Sequence, residues 1–140
     1  MTNENNIEQL KKQAEEYLNG WKRAKADYLN LKKEMELQNK EIKEWMSKIM
    51  LLPLLEIMDN FDRAGTLDAG IEAIKKQFKD FLKANGVEEM KTINEKFDPL
   101  KYEAMGSIEG GESGMVAAEL QKGYLMNGEV LRPAKVKVYK

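Results

Sequence analysis

The stretch IEQLKKQAEEYLNGWKRAKADYLNLKKEMELQNKEIKEWMSKIMLL, residues 7–52, decides the fold. Apolar residues recur in it at alternating steps of three and four: Ile7, Leu10, Ala14, Tyr17, Trp21, Ala24, Tyr28, Leu31, Met35, then, past the polar Gln38, Ile42, Trp45, Ile49 and Leu52. This is an a/d heptad pattern. At about 1.5 Å per residue the helix it describes is roughly 70 Å long, beyond the reach of a compact domain of this size. Such a stripe cannot be buried by one helix alone. A period of 3.5 residues asks for a partner helix and a left-handed supercoil. The expectation is a long paired coiled-coil helix over residues 1–52 in a homodimer, with Gln38 as the polar core position that fixes register. The e and g charges favour a parallel pair only weakly: Asp27 matches Lys32, but Glu34 faces Asn39.

Beyond the seam the apolar face broadens. Met50, Leu51, Leu54, Leu55, Ile57, Met58 and Phe61 crowd more than one side of the helix, the mark of a helix inside a bundle. Leu55 and Met58 extend the expected dimer contact. The methionines at positions 35, 46, 50 and 58 read as core filler. Pro53 is expected to kink or break this helix. Gly65-Thr66 stops it, Asp68 caps a second helix carrying Ile71, Ile74, Phe78, Phe81 and Leu82, and Asn85-Gly86 ends that one. Residues 53–86 thus read as a helical hairpin contributing to a dimeric four-helix bundle.

Residues 87–140 change character. Six of the ten glycines lie between Gly106 and Gly128. Strand-like runs appear at residues 102–108, 115–121, 129–131 and 134–139, and Asn127-Gly128 is a hairpin turn signal. This is a small all-β wing domain, too small for much core of its own and expected to lean on the helices. The fold class is therefore α+β. The glycine cluster at residues 109–114 lacks the Gly-Lys-Ser/Thr ending and following helix of a phosphate loop, so it reads as a flexible hairpin loop.

Composition narrows the function. The chain has 140 residues, is 34% charged with net charge −1, and contains neither cysteine nor histidine. It lacks the commonest general base, thiol nucleophile and transition-metal ligand, which argues against an enzyme and against a cofactor or small-molecule substrate. With no basic excess, nucleic acid is not an expected partner, and no run is long and apolar enough for a membrane. The polar, acidic start carries no signal-peptide pattern, so a cytoplasmic location is expected.

Four stretches carry a resemblance. They are Asn30-Leu31-Lys32-Lys33, the Leu54-to-Ala64 segment, Phe97-Asp-Pro-Leu-Lys-Tyr-Glu-Ala104, and Gln121-Lys-Gly-Tyr124 followed by Leu131-Arg-Pro-Ala-Lys-Val-Lys-Val138. In this order and spacing they resemble the GrpE family, nucleotide exchange factors of the DnaK-type heat-shock chaperone. The resemblance implies a parallel homodimer in which one wing inserts against the chaperone ATPase domain and opens its cleft to release ADP. It implies chaperone contacts at Lys32, Phe97, Pro99, Leu120, Glu129 and Val138. Lys122, Gly123, Tyr124, Asn127, Arg132 and Pro133 share the signature and either touch the chaperone or hold the hairpins. A role as thermosensor is also implied. The chain departs from the family pattern at Glu41, Glu56, Tyr102 and Glu129, where lysine, proline, histidine and a basic residue are usual. The other class that fits is a coiled-coil structural adaptor presenting the β module to another protein.

Overall fold

The computed structural model describes residues 2–140. The chain is α+β: helix α1 (Thr2–Arg63) and helix α2 (Ala69–Ala84) precede strands β1 (Val87–Glu89), β2 (Tyr102–Ile108), β3 (Val116–Gln121), β4 (Tyr124–Met126), β5 (Glu129–Arg132) and β6 (Ala134–Tyr139). It divides into two units, Met1–Trp45 and Met46–Lys140.

The first unit is helix alone. Every described residue up to Trp45 is exposed. The seam side chains Ile7, Leu10, Tyr17, Trp21, Tyr28, Leu31, Met35, Ile42 and Trp45 all face solvent, Tyr17 at 76%. A local stacking of the Lys25 ammonium over the Trp21 ring, 4.9 Å from its centroid, is the kind of contact one helix makes with itself.

In the second unit α1 continues unbroken through Pro53. The expected break does not occur. Proline removes one backbone donor, and the apolar contacts on either side, at Leu51 and Leu55, hold the helix in register across the lost bond. After Arg63, Gly65 takes a left-handed φ of 72° that turns the chain out of the helix. The Asp68 carboxylate accepts the Ile71 N–H at 2.8 Å and caps α2, as the sequence suggests. Asn85 and the left-handed Gly86 end it.

The strands form two three-stranded sheets, ordered β1-β4-β5 and β2-β6-β3. The first is antiparallel throughout, and its β4–β5 turn is Asn127-Gly128, both with positive φ. In the second, β6 lies between β2 and β3, parallel to β2 and antiparallel to β3. The glycine-rich segment 109–114 is therefore no hairpin. It connects two strands that do not pair, because the last strand has entered between them. The segment is exposed, but Gly111 lies against Tyr139, and a Cβ there would sit 2.5 Å from the ring. The Gly114 carbonyl accepts the Phe97 N–H at 2.9 Å.

Two cores result. One joins Leu51, Leu55, Met58 and Leu82 of the helices to Val87, Tyr124 and Met126 of the first sheet. The other belongs to the wing itself: Met90, Tyr102, Val116, Ala134 and Val136. Leu55 and Met58 are 0% and 1% exposed. Their expected place in a dimer seam is corrected here: the chain's own wing covers them. Of the methionines at 35, 46, 50 and 58, Met58 alone fills a core of this chain.

Candidate functional site

Two surfaces carry the residues singled out in the sequence. On α1, Lys32 is exposed in the first unit. On the wing, Pro99, Leu120, Asn127, Glu129 and Pro133 are exposed, whereas Phe97 and Val138 are half-buried. Pro99 stands in a turn built by Asp98, whose carboxylate accepts the Leu100 N–H at 3.0 Å and whose carbonyl accepts the N–H groups of Lys101 and Tyr102. The Phe97 ring leans on Tyr102 at 6.2 Å between centroids. Leu120 lies at the outer end of β3, 54% exposed.

The β4–β5 hairpin is tied to the helices at several points. At its tip the Asn127 N–H donates to the Gly86 carbonyl at 2.9 Å. Beside the tip, Glu129 pairs with Lys48 of α1 at 3.1 Å, an exposed ion pair. At its base, Arg132 reaches Asp59 of α1 with a two-pronged pair at 2.7 and 2.8 Å. Gln121 donates a third bond to the same carboxylate at 3.0 Å. The Arg132 Nε–H also donates to the Lys122 carbonyl at 3.1 Å, and its guanidinium lies 5.2 Å from the Tyr124 ring centroid. Lys122 pairs with Glu89 at 3.3 Å and with Asp62 at 3.7 Å, and Asp62 also meets Lys75 of α2. Burial pulls the Lys122 ammonium down, but Glu89 and Asp62 outweigh it and leave its pKa above the ordinary lysine value.

This geometry sorts the open signature residues. Gly123 and Tyr124 are buried, and a Cβ on Gly123 would meet the Ala134 nitrogen at 2.5 Å. Their burial fits the second of the two roles that the signature leaves open, holding the hairpins. Burial pushes the Tyr124 phenol well above its usual pKa, with Glu89 and Asp62 adding to the effect. Lys122 and Arg132 are engaged inside the chain, while Asn127 and Pro133 stay accessible. Of the departures, the Tyr102 hydroxyl donates to the Lys91 carbonyl at 2.6 Å and so has a structural use. Glu56 and Glu41 point to solvent.

Asp59 lies in the Leu54-to-Ala64 segment that carries the resemblance, but nothing in the sequence assigns it a role of its own. It is 7% exposed and sits next to Met58 on the covered face of α1. A carboxylate beside two core residues in an otherwise apolar patch is the signal that was available. Among the described residues no cluster of carboxylates has metal-binding geometry, and no helix is long and apolar enough to cross a membrane.

The fold and these surfaces define a helix-and-wing protein with an uncovered heptad stripe and a braced β-hairpin. The GrpE family model matches residues 1–140. The chain is 32% identical over 136 residues to Protein GrpE of Methanothrix thermoacetophila, covering 96% of this chain and 76% of that protein. It is 36% identical over 151 residues to Protein GrpE of Fusobacterium nucleatum subsp. polymorphum, covering 99% and 74%. To Protein GrpE of Brachyspira hyodysenteriae it is 37% identical over 148 residues, covering 96% and 74%. The chain belongs to the GrpE family.

Proposed function

We propose that this protein is a non-enzymatic co-chaperone: a cytoplasmic homodimer that binds the ATPase domain of a DnaK-type chaperone, opens its nucleotide cleft and releases ADP. The observation that carries this reading is the family match over the whole chain. Two features support it. The seam from Ile7 through Leu52 is exposed along its length, and the apolar side chains of Ile57, Ile71, Ile74 and Phe81 are also left open. A second copy, aligned in parallel, buries both and completes a four-helix bundle. The chaperone contacts are Lys32 on the helix and Phe97, Pro99, Leu120, Asn127, Glu129, Pro133 and Val138 on the wing.

Exchange of this kind needs no covalent chemistry. It requires that the protein bind the open cleft more tightly than the closed one, and the ratio of the two affinities sets how far the cleft population shifts. A thermosensor role follows from the same architecture: heating unpairs residues 2–45 first, removes Lys32 from its place and slows exchange while the wing stays folded.

The test is stopped-flow release of a fluorescent ADP from a DnaK-type chaperone with and without this protein. Acceleration that saturates with concentration is expected. Unchanged release, with binding intact, points to the adaptor class instead.

A further inference from the structure

The ion pair at the base of the β4–β5 hairpin joins residues far apart in sequence and is nearly closed to solvent. The Asp59 side chain is 8% exposed and that of Arg132 14%. One guanidinium holds three pieces of chain: α1 through Asp59, the β3–β4 connection through the Lys122 carbonyl, and its own strand β5. The carboxylate in turn takes Gln121 from the end of β3.

Apolar contacts alone do not give this element a direction. Backbone bonds to β1 and to Gly86 hold the edge and the tip of the hairpin, but the packing of Leu55 and Met58 on Tyr124 and Met126 is burial of area, which is not directional. A two-pronged arginine–carboxylate pair is different: both bonds form only when the two planes are aligned. A buried pair of this kind adds little net stability over an apolar substitute, and its best-attested use is to fix one arrangement among several.

We propose that Asp59, Arg132 and Gln121 form an orientation lock that sets the direction in which the β4–β5 hairpin stands on α1, and through it the leverage of the wing on its partner. The inference rests on the exchange reading above and adds Asp59 and Gln121 as positioning residues that touch no partner. Without the lock, the wing still binds, but its push on the cleft is absorbed by rotation of the hairpin.

Arg132→Lys keeps the charge and loses the fork. Asp59→Asn keeps the shape and loses the charge. In the stopped-flow assay each is expected to lower the saturating rate of ADP release about tenfold, the size of one close pairwise coupling, while the half-saturating concentration stays within about twofold. The double variant should be no worse than either single. An undiminished saturating rate overturns the lock, as does a double-variant loss equal to the product of the single losses. So does a rise in half-saturation for Arg132→Lys alone, which marks a direct chaperone contact. Arg132→Lys carries the test by itself if Asp59→Asn loses its circular-dichroism signature. A partner-free readout separates this idea from the exchange reading: amide relaxation of Tyr124–Arg132 should match that of α1 in the parent protein and show independent motion in the variants. Matching relaxation in parent and variants overturns the lock even if the parent releases no ADP.

Discussion

Residues 2–45 and the unit Met46–Lys140 bury their apolar groups in opposite ways. The helix exposes every side chain, including Trp21 and Trp45, whereas the second unit seals Leu55, Val116, Ala134 and Val136 to 0% exposure. One region carries its order only in a repeating pattern whose apolar stripe the chain itself leaves uncovered. The other closes on itself through contacts distant in the chain, such as Asp59 with Arg132. A helix in a protein draws most of its stability from packing and is marginal in isolation, so the two regions should answer differently to dilution and heat.

Dilution and heat should separate them most. Far-UV circular dichroism should lose a large share of its helical signal on heating, at a temperature that rises with protein concentration. The dispersed NMR amides of the wing should survive that step. A single concentration-independent transition seen by both probes would remove the contrast.

Alkali should act next, and on the second unit. Tyr102, Lys122 and Tyr124 all hold their protons more tightly than ordinary side chains do. For Tyr102 and Tyr124 the first cause is burial; for Lys122 the neighbouring carboxylates outweigh it. A raised folded-state pKa gives stability that is complete below the unfolded value and is lost as pH rises through the folded one. The wing transition should therefore be flat up to about pH 10 and drop above it, followed by tyrosinate absorbance. A wing transition that ignores this range would show that these groups titrate alike in both states.

Leu55→Ala should cost about 2–5 kcal/mol in the second unit, the range for a fully buried leucine. The same change at Leu10, which is 64% exposed in its own chain, should leave the wing transition unmoved and weaken only association. Equal effects at both sites on the wing transition would break the comparison. Gly123→Ala should cost about 1–3 kcal/mol through overpacking against Ala134 and Met90, read from a urea midpoint. Lys48→Ala is the smallest case. Its pair with Glu129 is exposed, so the loss should stay below about 1 kcal/mol and vanish in high salt.

The difference between the regions also explains how much of the fold was legible. The long helix, the Asp68 cap, the Asn85-Gly86 stop and the Asn127-Gly128 turn are local chemistry, and each stands where the sequence puts it. In the wing the short β1 was not legible, and the short β4 was implied only by the Asn127-Gly128 turn that follows it; the other four of the six strands were legible as runs. Their order was not, because alternation marks a strand without naming its neighbour. Leu55 and Met58 show the same limit on a helix: periodicity says that a face is covered but not whether a second copy or the chain's own wing covers it. Of the candidate site, the wing positions came from the family resemblance, while Asp59, inside a segment that carries it, looked like any acidic residue on a helix.

The central place of β6 has a consequence for how the protein is made. Neither β2 nor β3 has its sheet neighbour until Ala134–Tyr139 exists. On a translating ribosome both strands must wait with open edges, for seconds at ordinary elongation rates. During that wait β2, with Met105 and Ile108 outward, is a sticky ribbon. A newly made wing is itself exposed to misassembly until its final strand arrives.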